Sequence, residues 1–416
     1  MNPSIKGTDP FQGISGTLEN LADRISEFLK CPITIEDANH RLLAYSTHDE
    51  RTDPARIATI IGRRVPEKVI NSLWKEGVIP ALLETDEPIR VKKIDEIGLG
   101  NRIAISIWKN KEVLGYIWAL EIDQSLKDND LEILKKAAKA VKNHLLQLQT
   151  RKNINDEGYQ ELFWQLLTGH LNTTEDIINK FNKLQIKPPS LISTLVFRFP
   201  TEIDQKIEKQ IFYILKTTQQ IRVIFHTFDC TDLILLAAPL TQGAHGDFIN
   251  FILTFQRLMQ ERFEVHRVRG SCGTIYESCV KIEKSYKEAL AVLDIKEKFP
   301  EETKSIYYYQ DLGIYQFLEA ILEKRRDDGY ENQSLKKLRE YDQKHNTEFL
   351  PTLEVYLDKD SNINETAKTL HIHANTLNYR LKRITEIGQI NLKDPNQKIT
   401  IYIDIKIEKI KNKGLL

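Results

Sequence analysis

Apolar positions in the first 150 residues follow helical and strand periods in turn. A first helix is predicted by residues that recur every three or four positions: Leu18, Leu21, Ile25, Phe28 and Leu29. Residues 32–35 predict a strand, residues 37–45 a turn and a second strand, and residues 102–121 a strand pair split by a polar turn. The pattern therefore predicts a helix followed by a sheet.

A longer helical pattern begins near Leu126. Its apolar residues alternate steps of three and four and so lie along one seam: Leu131, Leu134, Ala138, Val141, Leu145 and Leu148. Such a seam can join two subunits, and it can equally pack on the sheet of its own domain. The pattern leaves both interpretations open.

The middle of the chain alternates between strand and helix patterns. Strands are predicted at 191–199, 221–228, 233–238, 265–275 and 305–309, and helices at 203–215, 247–261 and 278–293. This order predicts an α/β domain with a split βαβ sheet. The strongly charged stretch from Arg325 to Asn346 then predicts a linker or a solvated helix before the next domain.

Three short helices are predicted between Leu350 and Gly388. The first is indicated by Leu350, Leu353 and Leu357, and a capping box of Asn362 and Glu365 starts the second. A turn of four residues, 371–374, leads to the third, whose inner face carries Leu377, Leu381 and Ile384. The result is a pair of short helices joined by a tight turn.

The outer face of the third helix is cationic and rich in hydrogen-bonding groups. At 100° per residue, Asn375, Tyr379, Lys382 and Arg383 lie opposite the apolar face, flanked by Thr376, Asn378 and Arg380. Four basic residues against one acidic residue give residues 361–383 a net charge of +3 in a neutral chain. Asparagine can pair with adenine, and arginine or lysine with guanine or phosphate. The predicted DNA-contacting residues are Thr366, Asn375, Thr376, Asn378, Tyr379, Arg380, Lys382 and Arg383.

Spacing alone also fits a solvated basic face of a packing module, or an adaptor surface for a partner helix. The segment NINETAKTLHIHANTLNYRLKRI favours DNA binding, because it resembles the C-terminal helix-turn-helix of the PucR/CdaR family of bacterial regulators. Its most specific part is His373, Asn375, Thr376, Tyr379, Arg380, Leu381, Arg383 and Ile384, followed by INLKDP at 390–395. The resemblance implies a double-stranded operator and RNA polymerase as partners.

Composition limits the other classes of function. With 416 residues the chain exceeds one hydrophobic core, and its 59 basic and 59 acidic side chains balance, so any nucleic-acid affinity has to be local. The absence of a long apolar run or a signal-peptide layout predicts a cytoplasmic protein. Without metal-ligand spacing, a P-loop or a hydrolase motif, we expect no metal, cofactor or enzymatic activity.

The middle region resembles the degenerate cyclase-like domain of the same family, in GTIYES at 273–278 and YQDLGIYQFL at 309–318. A working diguanylate cyclase needs a Gly-Gly-acidic turn, but the hairpin here reads FDCTDL from Phe228 to Leu233. Asp229 and Asp232 could hold a metal weakly, although an acidic turn is more often only a turn. We predict no cyclase activity, with a degenerate nucleotide-binding signalling protein as the alternative function.

The first domain resembles a GAF-like sensor in its helix-sheet-helix order. Arginines near aromatic rings suit a small anionic or zwitterionic effector, since a guanidinium can hold a carboxylate while a ring covers the apolar part. The predicted effector-binding residues are Tyr45, Arg63, Arg64, Trp74, Arg102 and Trp118. The chain is also similar to the proline-utilisation activators of bacilli within this family, which makes proline a candidate effector.

The C-terminal segment has two periods at once. Isoleucines at 399, 401, 403, 405 and 407 alternate as in a strand, and Ile399, Ile403, Ile407 and Ile410 also fit a helix. A lone strand in a helical module would leave its backbone groups unpaired. We therefore predict a helix.

Together the patterns predict a multidomain α+β protein. We expect a GAF-like sensor domain with a signalling helix at 17–150, a degenerate cyclase-like split βαβ domain at 159–325, and an all-α helix-turn-helix domain at 345–412. The expected function is effector-responsive regulation as an activator of a catabolic operon. A homodimer or higher oligomer is expected, because two linked modules read a paired site, with the effector moving the seam helix.

Overall fold

The computed structural model describes residue 11 and residues 17–46, 52–110, 112–122, 125–152, 156–240 and 245–412. The chain forms two compact units. The first extends to Gly270 and includes Ile275–Tyr286, and the second comprises Ser271–Thr274 and the chain from Lys287 onward. Among the described helices, none combines the length and apolar character needed to cross a bilayer.

The helices and strands have the following bounds. The strands are β1 (Ile33–Asp37), β2 (Leu42–Tyr45), β3 (Ile89–Val91), β4 (Arg102–Lys109), β5 (Glu112–Leu120), β6 (Ser193–Arg198), β7 (Ile221–Asp229), β8 (Asp232–Pro239) and β9 (Arg269–Cys272). The helices up to β9 are α1 (Leu18–Leu29), α2 (Pro54–Gly62), α3 (Glu67–Lys75), α4 (Val78–Leu82), α5 (Asp128–Lys152), α6 (Asp156–Leu167), α7 (Thr174–Lys183), α8 (Gln205–Thr217) and α9 (His245–Phe263). After β9 come α10 (Ile282–Lys298), α11 (Leu318–Asp327), α12 (Gln333–His345), α13 (Phe349–Asp358), α14 (Ile363–Thr369), α15 (Ala374–Gly388) and α16 (Pro395–Asn412).

The first sheet is antiparallel, with the order β2-β1-β5-β4-β3. Successive side chains of a strand point to opposite faces. Ile117 and Ala119 of β5 therefore join a core with α1 and α5, whereas Tyr116 and Trp118 join a second core with α2, α3 and α4. Two covered faces explain why β5 is apolar at almost every position.

The apolar seam of α5 packs on this sheet. Leu134, Ala138, Val141 and Leu145 are buried in the core that also holds α1. Between Leu131 and Leu145 the interpretation of the seam as a subunit interface is therefore wrong, because its own sheet covers it. The side chain of Leu148 lies outside the described residues.

The second sheet has the order β7-β8-β6-β9, and β6, β7 and β8 are antiparallel neighbours. Its strands and helices follow the predicted order up to α10. The strand predicted at 305–309 is wrong: Tyr308 makes only an isolated bridge to Cys272, and a 3₁₀ helix covers Tyr309–Phe317. The aromatic run reflects burial, since Tyr308 is 1% exposed.

The second unit contains a helical core to which α12, α13, α15 and α16 contribute. Helix α12 comes from the charged stretch for which a linker or a solvated helix was predicted. Its Leu335 and Leu338 are fully buried in this core beside Leu353 and Ile384. The stretch is thus a structural helix rather than a linker.

The prediction of a C-terminal helix is confirmed by α16. Residues two apart on a helix point to nearly opposite sides. Ile401 and Ile405 enter the core shared with α12, α13 and α15, whereas Ile403 and Ile407 pack with α10 and α11. The strand-like alternation therefore places isoleucines in two cores. Ile399 was predicted on the apolar face of the helix, and this prediction is wrong because Ile399 is 58% exposed.

A buried ammonium group fixes α16 against α13. Lys406 is 0% exposed, and its Nζ lies 2.8 Å from Oδ1 of Asp358 and 3.3 Å from Oε1 of Glu354. A buried charge is stable only when it is paired and hydrogen-bonded. The ion pairs therefore favour the register in which α16 packs on α13.

Replacing Lys406 by Met should lower the stability of the second unit by about 2 kcal/mol, because it removes the ion pairs of a buried ammonium group with Glu354 and Asp358. Urea unfolding followed by far-ultraviolet circular dichroism, with amide exchange of α13 and α16, would measure the loss. All four tryptophans lie before residue 165, so their fluorescence reports the first unit as an internal control. The exposed Lys393→Met is the matched variant, and an equal loss there would contradict the assignment.

Candidate nucleic-acid interface

Helix α14 begins at a side-chain cap. Oδ1 of Asn362 accepts hydrogen bonds from the backbone N–H groups of Asn364, at 3.0 Å, and Glu365, at 3.1 Å. The N–H of Asn362 donates instead to the carbonyl of Lys359, at 2.9 Å. Half of the predicted capping box is therefore formed. In its other half Glu365 would accept from the N–H of Asn362, but this N–H bonds to the carbonyl of Lys359 instead.

The turn between the two helices is short. Helix α14 ends at Thr369, His371 takes a left-handed conformation with φ of 54°, and α15 begins at Ala374. Nδ1 of His373 accepts from the N–H of Asn375 at 3.2 Å, so this histidine caps α15. The sequence analysis did not predict this role, because histidine is not among the preferred capping residues.

The inner face of α15 is placed as predicted. Leu377 and Ile384 are fully buried, and Leu381 is half-buried. This orientation exposes five of the predicted contact residues on the opposite side: Asn375, Thr376, Asn378, Tyr379 and Lys382. We call these five the outer face of α15. It offers amide and hydroxyl groups, one ammonium and a ring that is 63% exposed.

Thr366 does not belong to this surface. Its side chain is 0% exposed, and its hydroxyl donates to the carbonyl of Asn362 at 2.6 Å. The assignment of Thr366 to DNA contact is therefore wrong, because α14 turns this position toward the core.

Two predicted arginines hold α15 in place. Arg380 donates to Oγ1 of Thr352 at 3.0 Å and lies 3.7 Å from the carboxylate of Glu348. Arg383 donates to the hydroxyl of Tyr341 at 3.3 Å and to Glu386 at 2.7 Å, and these bonds raise the pKa of Arg383. Both guanidinium groups are engaged inside the unit.

This engagement changes the charge balance of the surface. Of the four basic residues that gave the net charge of +3, Lys368 and Lys382 are exposed and make no ion pair with another described residue. The positive charge available to a polyanion is therefore smaller than the sequence count indicated.

Two of the six residues predicted to bind an effector line one cavity in the first unit. Trp118 and Arg102 are buried there, and the indole N–H of Trp118 donates to Oε2 of Glu36 at 3.0 Å. Arg102 donates to the carboxylate of Asp53. Arg56 and Glu36 line the same cavity, and the sequence analysis selected neither.

The other four predicted effector residues lie elsewhere. Tyr45 and Arg63 border a depression beside β2. Arg64 donates to a backbone carbonyl in the loop after α8, at 3.4 Å. The indole N–H of Trp74 donates to the hydroxyl of Tyr213 at 2.8 Å. The structure thus does not bring the six residues together.

The hairpin between β7 and β8 turns on Cys230 and Thr231, with Cys230 at a φ of 50°. Asp232 receives both guanidinium bonds of Arg198, at 3.0 and 2.9 Å. Across the part of the chain that the structure describes, no group of three histidine, cysteine or acidic side chains could hold a metal ion. Asp232 therefore has a structural partner where a cyclase would need a metal ligand.

Comparisons with known proteins place these regions in named families. Residues 349–407 match the model of the PucR C-terminal helix-turn-helix domain, and residues 168–295 match the model of a GGDEF-like domain. The chain is 54% identical to the DNA-binding transcriptional activator AdeR of Bacillus subtilis (strain 168) over 399 residues, covering 96% of this chain and 94% of that protein.

Two further relatives extend the comparison. The proline-responsive transcriptional activator PutR of the same organism is 30% identical over 406 residues, covering 95% of this chain and 97% of that protein. The carbohydrate diacid regulator of Escherichia coli (strain K12) is 29% identical over 182 residues, 43% of this chain and 46% of that protein. The similarity to the two Bacillus activators thus spans nearly the whole chain.

The contacts of Arg380 predict a purely structural phenotype. Replacing Arg380 by Met should destabilise the packing of α15 on α13 by about 1 kcal/mol, since it leaves Oγ1 of the buried Thr352 without its donor. Amide exchange of α13 and α15 would measure the change. Lys382→Met, on the exposed side of the same helix, should leave exchange unaltered, and equal effects of the two variants would contradict the assignment.

Proposed function

The chain belongs to the PucR/CdaR family of bacterial transcription regulators, and on this premise we propose that it reads an operator through the outer face of α15 in response to a small effector. The proposal rests mainly on the outer face of α15. The opposite side of the same helix packs into the core, while the side chains of the outer face are exposed together: Asn375, Thr376, Asn378, Tyr379 and Lys382. In a helix-turn-helix, this side of the second helix enters the major groove.

The amino end of α15 adds an attraction for phosphate. Helix N-termini carry a partial positive charge, which remains at α15 although His373 accepts from the N–H of Asn375. Asn375 and Thr376 lie in the first turn of α15, directly after the cap at His373. We expect the amino end of α15 and the ammonium group of Lys382 to contact the DNA backbone, and the side chains of Asn375 and Asn378 to reach base edges.

Oligomerisation is part of the proposal. One helix-turn-helix contacts few base pairs, whereas two linked modules gain effective concentration on a paired site. A homodimer or higher oligomer that recruits RNA polymerase to a catabolic operon fits the two Bacillus relatives, both of which are named activators. Because α5 buries its seam, the subunit contact has to use another surface.

Proline is the candidate effector that the PutR similarity suggests. PutR is 30% identical to this chain over 95% of its length. The middle domain is proposed to lack cyclase activity, since both carboxylate oxygens of Asp232 accept hydrogen bonds from Arg198. Formation of cyclic di-GMP from GTP by the purified chain would favour the alternative of a signalling enzyme.

The DNA proposal is tested on operator fragments captured by the full-length protein from its own genome. Asn375→Ala and Asn378→Ala should each reduce discrimination between operator and random DNA by ~1 to 3 kcal/mol per lost base contact. Lys382→Ala should weaken binding to operator and random DNA alike. Loss of one contact between Lys382 and a DNA phosphate should also reduce the slope of log affinity against log salt by about one.

Two controls separate DNA contact from folding. Thr366→Val keeps the buried shape and should retain operator affinity, and Lys324→Ala removes a 73% exposed charge on α11. Unchanged discrimination in both asparagine variants would remove the outer face of α15 from the interface. Salt-insensitive association with a protein partner, without DNA binding, would favour the helical adaptor.

A further inference from the structure

His373 lies in the turn of the helix-turn-helix, directly before α15. Its side chain is exposed, and it was not among the residues predicted to contact DNA. Nδ1 of its ring accepts a hydrogen bond from the N–H of Asn375 at 3.2 Å. Most capping residues use a single side-chain oxygen, whereas an imidazole carries a second nitrogen on the far side of its ring. The cap therefore leaves Nε2 available for another contact.

The cap also determines which tautomer His373 adopts. A backbone N–H can only donate, so Nδ1 carries no hydrogen while it accepts from Asn375. In a neutral imidazole the proton is then on Nε2, which becomes a donor. Within the described part of the chain, Nε2 of His373 has no hydrogen-bond partner. The result is an exposed N–H donor whose ring is held in place by the helix that it caps.

The surroundings of this donor favour a phosphate as its acceptor. The chain from residue 366 to residue 385 contains no Asp or Glu. Lys368 before the turn and Lys382 after it are exposed and make no ion pair with another described residue. Asn375 of the outer face of α15 is only two positions from His373, so DNA that meets this face passes close to the turn. Phosphate oxygens accept a large share of the hydrogen bonds in protein–DNA complexes, and neutral side chains are among the donors.

We propose that His373 is a further DNA-contacting residue, in which Nδ1 caps α15 while Nε2–H donates to a phosphate oxygen of the operator. The inference rests on the proposed function, because it adds a backbone contact to the surface that reads the operator. Such a contact carries no base information and positions the helix on the duplex. The same side chain then orders the first turn of α15 and sets its distance from the DNA backbone.

Two substitutions separate the roles of the two nitrogens. His373→Asn keeps an acceptor for the cap, since asparagine is a preferred N-cap residue, but it does not reach the position of Nε2. Amide exchange of α15 should therefore stay as in the wild type, while operator affinity falls about tenfold, equal to 1.4 kcal/mol. His373→Gln loses the short capping side chain, and its faster exchange shows the size of the change when the cap is absent.

The decisive measurement is the coupling between His373 and a single phosphate. Full-length wild-type and His373→Asn proteins are titrated with operator fragments in which one phosphate at a time is replaced by an uncharged methylphosphonate. At one phosphate, the replacement should weaken wild-type binding about tenfold and His373→Asn binding by no more than about twofold. A phosphate that meets Lys382 should respond equally in both proteins. A residue that only supports the helix would not produce this pairwise dependence.

His371→Asn is the matched control. His371 lies in the same turn, its φ of 54° is one that asparagine tolerates, and its ring makes no hydrogen bond with another described residue. This variant should bind the operator as the wild type does. An equal loss of affinity in both histidine variants, or equal methylphosphonate effects in wild type and His373→Asn at every position, would overturn the inference and leave the DNA proposal intact. Absence of operator binding by the wild-type protein would instead overturn the proposed function, and the contact of His373 with it.

Discussion

The placement of the outer face of α15 depends on a buried charge that lies on another helix. Lys406 has no contact with solvent and pairs with two carboxylates of α13, and these ion pairs favour the register in which α16 packs on α13. Helix α13 in turn holds α15 through Thr352 and Glu348, which meet Arg380. The position of the outer face of α15 is therefore stabilised by residues that do not belong to that surface.

The C-terminal helices illustrate how far periodicity carries. The bounds of α13, α14 and α15 and the burial of Leu377 and Ile384 follow from apolar spacing, because a helix has to bury one stripe. Projecting a sequence around a helix axis gives the direction of each side chain, but it does not show which other helices lie beside it. It could not distinguish Lys382, which faces solvent, from Arg383, which reaches Tyr341 of α12, since α12 itself had been taken for a possible linker.

The first domain shows the opposite limit. Strands β1, β2, β4 and β5 were predictable, but β3 and helices α2, α3 and α4 were not, and the cavity depends on strand register. Pairing of Thr34 with Trp118 and of Glu36 with Tyr116 brings residues 80 or more positions apart to one face. A single sequence contains no signal for that register, so residues close along the chain, such as Arg63 and Arg64, were selected, whereas Arg56 and Glu36, which line the cavity, were not.

A chain of hydrogen bonds leads from the cavity to the middle domain within the first unit. Trp74 donates to the hydroxyl of Tyr213 on α8, and this hydroxyl lies 3.0 Å from Nε2 of His40, whose Nδ1 faces Oε2 of Glu36 at 3.1 Å. One assignment satisfies every link: Tyr213 donates to Nε2, and Nδ1–H donates to Glu36. This chain of hydrogen bonds therefore ties the sheet of the first domain to α8 of the middle domain.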